Sequence, residues 1–361
     1  MTELEPSPQP VHARRRLRPW HKIIFVLGLF CALGWYIWLH SGVFFVQEGK
    51  NGIRNLGRDK PPPWLKKWVT SPKIDKLMPV HLIEFHRQLG DADEGLRLLY
   101  YQPSVTQVNY NTYEGGPGQS AETFSLLASC FPNLKQLKLN YIRLTAHDCR
   151  ALAKMPKLTN IVLLCEVELG AFHELAASAS LETLTFVVRT SQPAALRELA
   201  ELPIENLTLV TDEPGLALIL NADAPENPLF PKLKHLKLGH WAFNPEESLD
   251  QLARLPQLEH LDLSESRLTD ANLKRLEPLT RLHTLYLAHC HITDEGCASL
   301  AKLTSLRSLH LGATGISMKG VGELKPLKRL KVLSLHQCIK IMNDRTATLP
   351  PDFPPCRVRW K

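Results

Sequence analysis

The sequence predicts an α/β solenoid, with a parallel β-sheet on one side and helices on the other, preceded by a single transmembrane helix. Two observations predict this architecture. A leucine pattern recurs nine times at a near-constant spacing over residues 129–340. Ahead of it, residues 23–46 form an apolar run without any formally charged side chain. Repeats with a period of about 20 to 50 residues are typical of stacked units that bury a shared core.

The composition is that of a globular protein. The chain has 361 residues, of which 44% are hydrophobic and 22% charged, and its net charge is +7. Part of this charge is a basic cluster at residues 14–22 that directly precedes the apolar run. Basic residues in that position favour a membrane interface over a nucleic-acid site, so no nucleic-acid partner is expected.

The apolar run from Ile23 to Val46 predicts an uncleaved signal anchor. As a helix it would extend about 36 Å, which exceeds the roughly 30 Å of a bilayer core. Small residues at 32–34 raise the alternative of a cleaved signal peptide. The apolar character continues through Trp38 and Leu39, which favours an anchor.

The distribution of basic residues predicts a single-pass topology with the N-terminal tail, residues 1–22, in the cytoplasm and the repeats outside it. Basic residues beyond the span are spread more thinly and are partly offset by Glu48 and Asp59. Residues 47–70, with three consecutive prolines at 61–63, are interpreted as a juxtamembrane linker.

Residues 71–128 are interpreted as an N-terminal cap that contains a degenerate repeat, and residues 341–361 as a C-terminal cap. Solenoids need caps because their end faces would otherwise expose apolar surface. The apolar positions within 73–100 have a helix-like spacing, and Val105, Val108 and Tyr110 imitate the strand of a repeat.

The nine repeats are counted from their first leucine-like position. The steps between these positions are 24, 23, 23, 29, 25, 24, 24 and 24 residues, and the positions are Leu134, Leu158, Leu181, Ile204, Leu233, Leu258, Leu282, Leu306 and Leu330. The long step contains a turn-rich loop at 221–228.

Each repeat predicts a short strand followed by a helix. The alternation of leucines directs them to one face of the strand. Thr269 and Thr293 are suitable N-caps, and the aspartate after each favours the positive end of the helix dipole. Thr145 and Asp148 have the spacing of a capping box.

The segment from Leu282 to Ile292 reads L-x-x-L-x-L-x-x-C-x-I and leads into a T-D-x-G-x-x-x-L helix entry at Thr293 to Leu300. These motifs resemble the leucine-rich repeat family over about 129–340. The period is similar to bacterial repeats of the ribonuclease-inhibitor-like and cysteine-containing subclasses. The resemblance implies a horseshoe with a concave parallel β-sheet and convex helices, and binding of proteins by the concave face.

The eight cysteines are interpreted mainly as core thiols. Cys290 and Cys338 occupy the asparagine-or-cysteine position of the family motif, where a small side chain bonds the turn backbone. Cys149 and Cys297 occupy equivalent places in two helices. Cys130 and Cys356 flank the repeats, and nothing in the sequence pairs them.

Histidines recur among the outward positions of repeats five to nine, at His235, His240, His260, His289, His310 and His336. By repeat position, His240, Glu265 and His289 form one column, which makes them candidate metal ligands on neighbouring strands. The interpretation we favour is that the histidines are solvated residues that contact a partner. A further hypothesis is that this surface is sensitive to pH between about 5 and 7, where histidines change charge.

A second candidate surface is apolar. Repeats two to four carry Val162, Leu164, Val187, Val188 and Val210 at or next to outward positions. Such a patch marks a partner site, unless the cap, the linker or another copy of the chain covers it.

No catalytic motif, cofactor site or phosphate-binding glycine loop is found in the sequence. The leading hypothesis is a non-enzymatic, membrane-anchored protein that binds a protein partner outside the cytoplasm. One alternative is a cytoplasm-facing membrane scaffold with the same fold, and another is a metal-dependent enzyme with a His/Glu site. The partner-binding candidates are the apolar residues above with His260, Tyr286, His289, His310 and His336.

Overall fold

The computed structural model describes residues 53–58, 80–86, 103–111, 123–188, 193–211, 219, 230–239, 249–255, 257–343 and 348–360. In this part of the chain, thirteen strands form one open sheet in which the strands follow the order of the sequence. Neighbours from β2 to β13 run parallel, and β1 is antiparallel to β2. Each repeat therefore adds one strand to the same edge.

The strands are β1 (Ile53–Arg58), β2 (Val80–His86), β3 (Gln107–Asn111), β4 (Gln136–Leu144), β5 (Asn160–Val167), β6 (Thr183–Val187), β7 (Asn206–Val210), β8 (His235–Leu238), β9 (His260–Asp262), β10 (Thr284–Tyr286), β11 (Ser308–His310), β12 (Val332–Ser334) and β13 (Arg357–Arg359). The helices are α1 (Thr123–Cys130), α2 (Ala146–Ala153), α3 (Ala171–Leu175), α4 (Pro193–Glu198), α5 (Asp270–Leu273), α6 (Cys297–Leu300), α7 (Met318–Glu323) and α8 (Ile339–Met342). Short 3₁₀ turns at Leu199–Glu201, Leu249–Arg254, Lys274–Leu276 and Asp294–Gly296 complete the convex connections.

The leucine period predicts the strands correctly. In all nine repeats the strand begins two residues after the first leucine-like position. The central leucines pair in register from strand to strand, as Leu261, Leu285 and Leu309 do. These three side chains are fully buried. Stacking of the repeats thus creates one continuous core beneath the sheet.

The N-terminal part of the sheet differs from the prediction. A helix-like pattern was expected within 73–100, but Val80–His86 forms strand β2, so a helix is wrong for this segment. The strand forms because it pairs on both sides, with β1 and with β3. The predicted strand around Val108 is confirmed as β3. At the other end, β13 extends the sheet into the segment interpreted as the C-terminal cap.

The predicted membrane anchor at residues 23–46 lies outside the described residues. Among the residues that are described, no helix combines the length and apolar character needed to cross a bilayer. The anchor and its orientation stay predictions.

Helix caps agree with the sequence at α2. The Thr145 hydroxyl oxygen accepts a hydrogen bond from the backbone N–H of Asp148. In return, the Asp148 carboxylate accepts one from the backbone N–H of Thr145. This capping box pairs two backbone donors that the helix itself leaves without an acceptor.

Asp270 and Asp294 have a role that the sequence did not indicate, because each binds the next repeat. Asp270 accepts hydrogen bonds from the backbone N–H (2.9 Å) and hydroxyl (2.7 Å) of Thr293. Asp294 accepts the same pair from Ser317, at 2.7 and 2.6 Å. Gly296 has to be small because a Cβ there would overlap the Asp270 carboxylate. The aspartates therefore join successive repeats on the convex side.

The interpretation of Cys290 and Cys338 as core thiols is confirmed. Cys290 Sγ lies 3.3 Å from the Leu263 carbonyl oxygen, and Cys338 Sγ lies 3.1 Å from that of Leu311. Each donates to a carbonyl of the preceding repeat. Cys149 and Cys297 are also buried, and burial raises the pKa of the Cys297 thiol to about 12. The Cys297 thiol is therefore protonated near pH 7, and all four thiols are packed in the core.

Candidate functional site on the open face of the sheet

Side chains on the face opposite the core form columns that run across the strands. We call this face the open face. From β8 to β13, one column contains His235, His260, Thr284, Ser308, Val332 and Arg357, and the next contains Lys237, Asp262, Tyr286, His310, Ser334 and Arg359. Adjacent strands are about 4.8 Å apart, so neighbours within a column lie within side-chain contact distance.

Two stacked ring pairs form on this face. The imidazoles of His235 and His260 stack with a centroid separation of 4.1 Å and an interplanar angle of 6°. Tyr286 stacks on His310 at 4.2 Å and 17°. Both pairs join residues of successive repeats in register, so the solenoid itself aligns the rings.

An open pocket of about 440 Å³ lies over β7 to β10. Its side-chain lining combines amide, hydroxyl, imidazole, charged and phenol groups, from Asn206, Thr208, His235, Lys237, His260, Asp262 and Tyr286. Lys237 Nζ and Asp262 Oδ2 form an ion pair at 3.1 Å across it. The pocket thus offers aromatic surface beside a charge pair that is already neutralised.

One histidine of each stack, His260 and His310, is shifted towards its neutral form. Burial lowers the pKa of His260, and the neighbouring His235 lowers it further, against an opposing effect of Glu259. Burial also lowers the pKa of His310, together with Arg359 and His336, against Asp262. Both rings are consequently uncharged near pH 7, and they gain a proton only at a lower pH than an ordinary histidine.

Hydroxyl groups fix the orientation of the last two histidines. Ser308 Oγ and His310 Nε2 are 3.0 Å apart, and Ser334 Oγ and His336 Nδ1 are 2.9 Å apart. The His336 ring also lies directly over Gly312, where any Cβ would overlap it. His336 comes just after β12 rather than on it, so its position depends on this contact.

Two of the three predicted metal ligands, Glu265 and His289, lie in turns rather than on strands. Glu265 and His289 each follow a strand and have a left-handed backbone, with φ of 62° and 60°. Their N–H groups donate to the carbonyls of Ala288 (2.7 Å) and Gly312 (2.9 Å) in the next repeat. His240 lies outside the described residues. Within the described ranges, no three His, Cys, Asp or Glu side chains converge on a point that suits a metal.

The predicted apolar residues are contiguous in the structure. Val187 and Val210 are in register on β6 and β7, and Leu164 follows the same outward side of β5. Val162 lies in register with Thr185, and the N–H of Val188 donates to the Val210 carbonyl at 2.9 Å. All five side chains are half-buried. Their role in partner binding stays a prediction.

The arginines of β13 are part of the open face that the sequence pattern did not predict. Arg357 and Arg359 extend both columns of the open face by one strand beyond the ninth repeat. The R-V-R alternation at 357–359 was the available signal, but the leucine period ends at Leu330 and does not reach it.

A sequence model described as a leucine-rich repeat matches residues 280–301. Similar solved structures include an internalin of Listeria monocytogenes, which is 14% identical, with a TM-score of 0.37 and coverage of 77% of this chain and 92% of that one. Human 5T4 is 22% identical, with a TM-score of 0.39 and coverage of 56% and 78%.

TLR13, solved in complex with ssRNA13, is 18% identical with a TM-score of 0.39. The match covers 66% of this chain and 40% of TLR13. The search of curated protein sequences produced no match. The matched repeat, the regular leucine period and the open parallel sheet together support a leucine-rich repeat family and a leucine-rich repeat solenoid fold.

Proposed function

We propose that this protein is a membrane-anchored leucine-rich repeat protein that binds a protein partner through the open face of its sheet, outside the cytoplasm. The observation that carries the proposal is the pocket over β7 to β10, with its two stacked ring pairs. The apolar span at 23–46 and the basic cluster before it support the anchor and its orientation.

The open face suits protein binding because its side chains are pre-positioned. Neighbouring repeats order the rings before any partner arrives, which reduces the entropy lost on binding. Tyr286 keeps 37% of its surface exposed at the edge of the pocket. Tyrosine is enriched among the residues that dominate binding energy, since it combines a large apolar area with a hydroxyl group.

The partner can be sought by crosslinking in native membranes, followed by mass spectrometry of the captured proteins. We expect Tyr286→Ala with His260→Ala to reduce recovery of the captured protein by at least about tenfold, because truncating a dominant contact costs about 2 kcal/mol or more. Both residues border the pocket, so the loss should be confined to proteins that contact the open face.

Tyr141→Ala is the matched control, because Tyr141 is 44% exposed and does not line the pocket. Circular dichroism of all variants checks that they fold. The proposal would be wrong if the pocket variant captures the same proteins, in the same amounts, as wild type and Tyr141→Ala.

The orientation can be tested by protease treatment of intact spheroplasts. We expect the repeats to be digested while an epitope tag before Arg14 survives, because the basic cluster keeps the tail in the cytoplasm. A cytoplasmic marker protein that stays intact controls for lysis. If the repeats resist digestion until the membrane is lysed, the cytoplasm-facing scaffold replaces the exported protein.

A further inference from the structure

The last strands of the sheet carry a cluster of basic side chains. We call Arg307, Lys331, Arg357 and Arg359 the C-terminal basic surface. Lys331 donates its N–H to the Arg307 carbonyl (2.7 Å), and Arg357 donates its N–H to the Lys331 carbonyl (2.8 Å). Arg307 and Lys331 therefore directly precede the adjacent strands β11 and β12, beside Arg357 and Arg359 on β13, and all four residues are exposed.

No carboxylate neutralises this surface within the described part of the chain. None of its four side chains takes part in an ion pair there, whereas Lys234 and Lys237 do, with Glu205 (2.9 Å) and Asp262 (3.1 Å). The outward residues of β10 to β13 are all neutral or basic, as the columns described above show. The charge left on this end of the face is thus available to a ligand.

The charge also changes sign along the sheet. From the third repeat on, the residues just before the strands are Glu182, Glu205, Lys234, Glu259, His283, Arg307 and Lys331. Glu205 is paired with Lys234, and Glu259 lies 3.4 Å from His283. Two of the three glutamates in this series thus have a basic neighbour, whereas Arg307 and Lys331 have no ion-pair partner in the described residues. On β10 to β13, a ligand aligned with the face would therefore meet basic but no acidic side chains.

The groups around this surface are suited to carboxylates. Guanidinium groups bind carboxylates with two parallel hydrogen bonds, which gives both strength and geometry. The positive field extends across β12, since Arg359 contributes to the lowered pKa of His310. A bound anion would therefore strengthen its own site by favouring protonation of His310.

We propose that the C-terminal basic surface binds an acidic segment of the protein partner, with aspartate or glutamate side chains against Arg307, Lys331, Arg357 and Arg359. This inference rests on the proposed function. A nucleic acid fits less well, because single strands need exposed aromatic rings between the cations. On this end of the face, Tyr286 lies on β10 outside the basic surface, and Trp360 packs against the core.

The test uses the full-length protein in nanodiscs and a fluorescein-labelled oligo-glutamate peptide, with binding followed by fluorescence anisotropy. We expect saturable binding that weakens as salt is raised, and that Arg357→Glu with Arg359→Glu weakens at least about tenfold through charge reversal. Because β13 is the last strand, Arg307→Glu with Lys331→Glu provides a second variant inside the repeats, with the same expected loss.

Lys328→Glu with Arg329→Glu is the matched control, since both residues are exposed on the loop before β12 and the change in net charge is the same. The control should bind the peptide as wild type does. The inference is overturned if the peptide does not bind, if the control loses as much affinity as the two variants, or if labelled oligothymidylate of equal length binds as tightly as the peptide.

The same variants separate this inference from the proposed function. In one outcome, Tyr286→Ala with His260→Ala abolishes partner capture, while the two charge-reversal variants bind the peptide and the partner normally. Binding of an acidic segment by the basic surface is then excluded, and partner binding by the open face stands. If the peptide binds as expected but no open-face variant changes capture, the proposed function fails, and the charged surface remains as a site without that partner.

Discussion

Replacing Leu285 by alanine is expected to lower the free energy of unfolding by about 2–5 kcal/mol, the cost typical of a cavity in a well-packed core. Leu285 is fully buried at the centre of β10, between Leu261 and Leu309 of the neighbouring strands. A solenoid is stabilised mainly by contacts between adjacent repeats, so the cavity weakens two interfaces together. Urea denaturation followed by circular dichroism measures the loss.

Tyr286→Ala is the control for this substitution, because Tyr286 follows Leu285 on the same strand but faces the open side of the sheet. We expect that change to cost less than about 1 kcal/mol. Hydrogen exchange should show the loss of protection for Leu285→Ala concentrated in β9 to β11. Equal destabilisation by the two substitutions would contradict the assignment of Leu285 to the core.

Replacing Asp294 by alanine is expected to lower the free energy of unfolding by about 1.5–3 kcal/mol, the range for hydrogen bonds to a charged group. The substitution removes the acceptor for both the N–H and the hydroxyl of Ser317 in the next repeat. Asp294→Asn should cost less, because its amide oxygen still accepts one of these hydrogen bonds. Glu295→Ala, an exposed neighbour, is the control and should change stability by less than about 0.5 kcal/mol.

The effect of Asp294 should depend on pH. Burial disfavours its charged form, but the hydrogen bonds from Ser317, with a further one from the Gly320 backbone and the charge of Lys340, lower its pKa below the ordinary 3.8. A carboxyl group whose pKa is lowered by folding stabilises the protein above its unfolded pKa and loses that contribution as the pH falls through its folded value. The gap between wild type and Asp294→Ala should therefore be full near pH 7 and shrink in acid. A gap that does not vary with pH, or one no larger than that of Glu295→Ala, would contradict this role.

The strands of the repeats were predictable because their signal is local and repeated. Each leucine pattern specifies the buried side of one strand, and nine copies at similar spacing reinforce one another. Strand β2 lacks that support. Its apolar residues permit a helix as readily as a strand, and pairing with β1 and β3 decides between them.

The candidate site was predictable in part. The alternation identified His260, Tyr286 and His310 as outward residues, and the structure places all three on strands of the open face. The ring stacks could not be inferred from this alternation, because they depend on the rotamer of each side chain and on the register between repeats. His289 was expected on a strand, but the left-handed turn after β10 directs it to the edge of the sheet.

The leucine spacing alone therefore established a stacked solenoid with a buried leucine core, since burial of apolar side chains follows directly from the order of residues in each repeat. The contacts between residues of different repeats could be identified only from the tertiary structure. The stacking of His235 on His260, the bonds from Asp294 to Ser317, and the extension of the basic surface onto β13 all join residues at least 23 positions apart. Such residues become neighbours only when the strands pair in one register, and the hydrogen bonds between strands establish that register.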